Sequence, residues 1–121
     1  MNQADLDAKR QLAVDFDDTI ATTIDGELVL IRGAREALER LRAHGYKIVI
    51  HSARAWVAWN DVWDRVGEMH DFLEKEGIPY DGIYMGNGKP AAVAYIDDRA
   101  MRFEDNWKEI ADWLVFRKIN E

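Results

Sequence analysis

Two acidic clusters stand where they could act together on one substrate, Asp15-Phe16-Asp17-Asp18-Thr19 and Asp97-Asp98. Each follows a short apolar run, Leu12-Ala13-Val14 in the first case and Val93-Ala94-Tyr95-Ile96 in the second. Side chains alternate along extended backbone, so Asp15 and Asp17 are expected to leave the chain on the same side. Carboxylates that close repel, and one takes up a proton unless a cation intervenes. A hard divalent ion relieves the repulsion and keeps a carboxylate ionised for attack. Mg²⁺ suits such a site, because it prefers oxygen donors and keeps several waters. The plainer alternatives are a solvated acidic turn after the first run and a helix cap or turn at Asp97-Asp98.

Three further residues could handle a phosphoryl group. Ser52 follows Ile48-Val49-Ile50-His51. Its hydroxyl, with the backbone N–H groups of Ala53 and Arg54, would hold phosphate at a helix N-terminus, or it would simply cap that helix. The Arg54 guanidinium suits bidentate contact with phosphate. Lys89, within Gly86-Asn87-Gly88-Lys89-Pro90, lies on a Gly-rich turn from which it could bridge a nucleophile and phosphoryl oxygens. Gly88-Lys89 does not make a nucleotide-cradling P-loop. That motif needs a Gly where Ile83 stands and a Ser or Thr where Pro90 stands.

The elements that must position these residues follow from hydrophobic periodicity. Short apolar runs alternate with longer amphipathic ones, which predicts an α/β chain with a parallel sheet. Strands are expected over residues 12–16, 46–50, 82–85 and 92–96. Asp25-Gly26, set between Thr22-Thr23-Ile24 and Leu28-Val29-Leu30-Ile31, predicts a small hairpin within residues 20–32. Helices are expected over residues 34–43, 55–76 and about 106–118, the first two ending at Gly45 and Gly77. In the second, Trp56, Trp59, Trp63, Val66 and Leu73 share a face that should pack on the sheet, with a subunit contact as the alternative. In the last, Trp107, Ile110, Trp113, Leu114 and Ile119 form the expected packed side. Ligands of open parallel sheets bind beyond the carboxyl ends of the strands. Asp15–Thr19, His51–Arg54, Gly86–Lys89 and Asp97-Asp98 all fall there.

Composition bounds the rest. With 121 residues, 48% of them hydrophobic and 32% charged, the chain suits one domain over residues 1–121 with a real core. Five Trp, four Tyr and four Phe argue against disorder. The absence of cysteine excludes thiol nucleophiles and thiolate metal sites. A net charge of −7 and a pI near 4.9 disfavour a long nucleic-acid duplex footprint. The N-terminal residues are polar and of mixed charge, unlike a signal peptide. No apolar run approaches the roughly 20 residues of a membrane span. A cytoplasmic protein without membrane contact is expected.

Taken together, the motifs resemble the haloacid dehalogenase superfamily. Asp15-Phe16-Asp17-Asp18-Thr19 is similar to its D-x-D-x-T motif, Ser52 to its second motif, Lys89 to its third and Asp97-Asp98 to its fourth, all in order. The resemblance implies a three-layer Rossmann-like fold and an Mg²⁺-dependent phosphohydrolase. Asp15 would be the nucleophile, forming an aspartyl-phosphate, and Asp17 the acid–base group. Mg²⁺ would bind the Asp15 carboxylate, the main-chain carbonyl of Asp17 and the Asp97 carboxylate. Asp98 would hold a water of that ion or position Lys89. Thr19, Ser52, Ala53, Arg54 and Lys89 would bind the phosphoryl group. Family members that cleave carbon–halogen bonds lack an acid where Asp17 stands, so dehalogenation is disfavoured.

Only a hairpin fits within residues 20–32, and residues 55–88 are absorbed by one helix and one strand, so no cap domain is expected. An open site suits a phosphorylated small molecule, a phosphorylated polymer end, or completion by a neighbouring subunit in a homo-oligomer. His51-Ser52-Ala53-Arg54 also resembles phosphatase domains that trim nucleic-acid ends, an idea the acidic charge opposes. The competing functions are a non-catalytic module that binds phospho-ligands or a partner, and a phosphotransferase.

Overall fold

The computed structural model describes residues 2–117. A helix that the periodicity does not suggest, α1 (Gln3–Arg10), leads into β1 (Gln11–Val14). Its sequence is polar, but its ends fit a helix. The Asn2 side chain accepts the Asp5 amide at 2.9 Å, and Lys9 and Arg10 sit at the negative end of the dipole. After β1 come β2 (Ala21–Ile24) and β3 (Glu27–Leu30), α2 (Ala34–Ala43) and β4 (Lys47–Ile50). A single 3₁₀ turn (Ala53–Ala55), α3 (Val62–Lys75), β5 (Gly82–Ile83), β6 (Ala94–Ile96) and α4 (Trp107–Phe116) complete the order.

The central sheet is parallel throughout, in the order β5-β4-β1-β6. β1 is buried along its length, as a strand with neighbours on both sides must be. Its register pairs Val14 with Ile50 on one side and Ile96 on the other. Alternation sends Leu12, Val14, Ile48 and Ile50 into one core with Leu38 of α2 and Met69, Phe72 and Leu73 of α3. Phe16 closes that core, its ring edge-on to Phe72 with centroids 5.8 Å apart. β2 and β3 form the expected separate antiparallel hairpin. Asp25 and Gly26 have φ of 50° and 81°, as a tight turn with two left-handed residues requires.

Two expectations about helices need correction. α3 begins at Val62 rather than near residue 55, because the Trp59 indole donates to the Ala53 carbonyl at 2.9 Å and folds residues 53–61 into an irregular loop. Trp56 and Trp59 therefore precede the helix, and Trp63 is 73% exposed. The residues that pack are Val62, Met69, Phe72 and Leu73, of which Leu73 is on the expected face.

The three-layer arrangement is closed on one side only. α4 contributes no buried residue; Trp107 and Trp113 are 71% and 57% exposed. The chain around Pro90 instead lies against β1 and β6. Gln11 Nε2 donates to the Ala91 carbonyl at 2.8 Å, and the Tyr95 hydroxyl to the Pro90 carbonyl at 2.7 Å. β6 is exposed along its length and offers α4 no closed surface. Lys118 and Ile119 lie outside the described residues. Among those described, no helix is long and apolar enough to cross a membrane.

Candidate active site

Because the sheet is parallel, the carboxyl ends of its strands share one edge. The Asp15 amide donates to the Ile96 carbonyl, the His51 amide to Val14 and the Tyr84 amide to Ile50, each at 2.9 Å. These bonds fix the first residue beyond β1, β4 and β5 against its neighbour. β6 delivers Asp97 and Asp98 beside Asp15.

Carboxylate oxygens of Asp15, Asp97 and Asp98 lie within 4.8 Å of one another. Burial pushes the Asp15 carboxyl up to about 6; the Phe16 N–H opposes that, and the charges of Asp97, Asp98 and Asp17 add to it. This is surplus negative charge at a half-buried point, made of hard oxygen donors with the chemistry a divalent cation takes. Asp97 Oδ1 also accepts the amides of Arg99 and Ala100, at 2.5 and 3.1 Å. The turn role expected of an acid after β6 therefore coexists with its place in the cluster.

Asp17 goes elsewhere. Its carboxylate pairs bidentately with Arg54, with Nε to Oδ2 at 2.8 Å and Nη2 to Oδ1 at 2.9 Å. The left-handed φ of 60° at Asp18 turns the chain just beyond it. Arg54 is only 17% exposed, lies over the Phe16 ring at 5.3 Å and has Glu68 3.6 Å from its Nη1. Its pKa is raised, chiefly by the hydrogen bond to Asp17.

Ser52 is buried, and its Oγ accepts the Arg54 amide at 3.2 Å. It caps one 3₁₀ turn rather than the long helix that the sequence suggests, and the Arg54 N–H is already used there. Thr19 Oγ1 is buried without a hydrogen-bond partner. The Lys89 ammonium lies 4.9 Å above the Tyr95 ring, outside the lining of the cleft that Asp15 and Asp97 share.

That cleft, of about 420 Å³, also contains residues for which the sequence offers no site role: Trp56, Tyr84 and Asn87. His51, beside Ser52, lines it too, edge-on to Tyr84 with centroids 6.0 Å apart. Burial, then the Lys89 charge, lowers the His51 pKa against the pull of Asp97. The signal available for Trp56 is its distance from the strand end: two residues after Arg54, at the rim of the sheet.

Neither a family model nor a curated protein matches the sequence. Among solved structures, the fold is similar to that of a conserved protein from Bacteroides thetaiotaomicron. The TM-score is 0.53 and the identity 22%, covering 91% of this chain and 93% of that one. That likeness concerns the fold alone.

Proposed function

We propose that this chain is a capless Mg²⁺-dependent phosphomonoesterase of the haloacid dehalogenase type, with Asp15 as its nucleophile. The observation that carries the reading is the meeting of Asp15 with Asp97 and Asp98 at one sheet edge. Those carboxylates, with the Asp17 main-chain carbonyl, would hold Mg²⁺. The bound ion would offset their charge and that of the phosphoryl oxygens.

In the first step an Asp15 carboxylate oxygen bonds to phosphorus as the ester P–O bond breaks, and the departing oxygen takes a proton from Asp17. In the second, water attacks the aspartyl-phosphate and returns a proton to Asp17, releasing phosphate. Asp17 must leave Arg54 and take up a proton from solvent before the first step, so Arg54 acts as the holder of the resting carboxylate. Ser52 Oγ accepts from Arg54, which leaves its own proton free for a phosphoryl oxygen. The unpartnered Thr19 hydroxyl, on the loop after β1, is a second free donor. Between β1 and α2 the chain builds only the hairpin, which supports the capless assignment.

Purified protein with Mg²⁺ should release phosphate from an aryl phosphate, and both chelation and Asp15→Asn should abolish release. No turnover across a broad phosphomonoester panel would sink the proposal.

A further inference from the structure

Two aromatic surfaces flank the acids of the cleft, and both are held in place. Trp56 packs edge-to-face on Trp59, with centroids 5.2 Å apart and planes at 84°. Trp59 is itself fixed by its indole bond to Ala53 and by the Arg65 guanidinium 5.1 Å above its ring. Trp56 remains 57% exposed, with aromatic surface free beside Asp15. Tyr84 is tied by its hydroxyl to the Asn87 carbonyl at 2.9 Å. It lies so close on Gly86 that a Cβ there would meet its hydroxyl oxygen at 2.6 Å. A glycine is thus needed for the ring to lie where it does.

Charge narrows the ligand further. The lining contains Asp15 and Asp97 but no Lys or Arg. A second anionic group on the substrate would find two carboxylates in the lining, while the Lys89 ammonium, whose charge reaches His51, sits outside it over Tyr95. A neutral planar ring would find pre-positioned aromatic surface, and the Asn87 amide lies in the same lining. The cleft volume is within the range of small-molecule sites.

We infer that the cleft selects phosphomonoesters whose leaving group carries a neutral planar ring, a nucleoside or aryl group, stacked on Trp56. This rests on the phosphomonoesterase reading for its chemistry, but the ring site is testable by binding alone. Polyanionic substrates, including phosphorylated polymer ends, are disfavoured by the same lining.

The test uses the full chain with Mg²⁺ and four probes: adenosine 5′-monophosphate, phenyl phosphate, glycerol 3-phosphate and adenosine 3′,5′-bisphosphate. Ring-bearing monophosphates should exceed glycerol 3-phosphate in kcat/KM by about tenfold, mainly through KM. The bisphosphate should fall below adenosine 5′-monophosphate. Trp56→Ala should erase most of the preference, and Trp56→Phe should restore much of it. A second arm measures binding of adenosine 5′-monophosphate to Asp15→Asn protein, with and without Trp56→Ala, by saturation-transfer NMR. Turnover without ring preference, or a preference indifferent to Trp56→Ala, overturns the inference and leaves the phosphomonoesterase standing. Trp56-dependent binding with no turnover of any probe does the reverse. Absence of both turnover and Trp56-dependent binding overturns both.

Discussion

Replacing Asp15 by Asn should disable the protein and stabilise it at the same time. The Asp15 carboxyl is pushed from 3.8 to about 6, so the fold binds its proton more tightly than the unfolded chain does. Linkage then requires stability to fall as pH rises from about 4 to about 6, and to stay at the lower level above that. Two pKa units correspond to about 3 kcal/mol as a ceiling. Asp97 and Asp98 are exposed, so solvent screening reduces the figure to about 1–2 kcal/mol. In a domain of this size that is a rise in Tm of roughly 3–10 °C at pH 7. Thermal melts of both proteins in chelator, from pH 4 to 8, measure it. The two curves should converge near pH 4 and separate above pH 6, and Mg²⁺ should stabilise the parent more than the variant. A variant that melts lower than the parent at pH 7, or a difference independent of pH, would refute the reasoning.

Other substitutions probe the positioning of the site and the core. Gly86→Ala should displace the Tyr84 ring and raise KM for ring-bearing phosphates several-fold while moving Tm little, because the residue lies in an exposed loop; a large drop in Tm with KM unchanged would contradict this. Arg54→Ala should cut kcat at least about tenfold and cost about 1–3 kcal/mol of stability, since Asp17 loses the partner that positions it between turnovers and a mostly buried guanidinium is removed; Arg54→Lys should not rescue it, because the bidentate fork is lost. Met69→Ala should cost about 2–5 kcal/mol in denaturant melts, whereas Trp63→Ser should stay within about 0.5 kcal/mol. The reverse order would restore the helix face expected from the tryptophan spacing.

Apolar runs flanked by glycine make the alternation of strands and helices legible, and the acids at the strand ends stand out because charge there is costly without a purpose. The lateral order of the strands is not legible. Local periodicity carries no information on partners, so only the motif resemblance implies that Asp97 meets Asp15, and the fold is what lays β6 beside β1. Arg54 reads as a phosphate ligand because a guanidinium suits either anion; only the fold puts the Asp17 carboxylate within 2.9 Å of it. Trp56, Trp59 and Trp63 follow a helical spacing that a single indole hydrogen bond defeats. Motif order puts Lys89 among the phosphoryl ligands, whereas the chain around Pro90 carries its ammonium onto Tyr95. The polar α1 shows no apolar stripe, and the aromatic content of α4 mimics a buried face.

The central claim is that acids from the ends of β1 and β6 share one divalent ion. Titration with Mn²⁺ as a paramagnetic stand-in for Mg²⁺, followed by electron paramagnetic resonance, tests it without any substrate. One ion per chain should bind, compete with Mg²⁺, and be weakened at least about tenfold by either Asp15→Asn or Asp97→Asn. Binding indifferent to both substitutions, or no binding at millimolar metal, would contradict it.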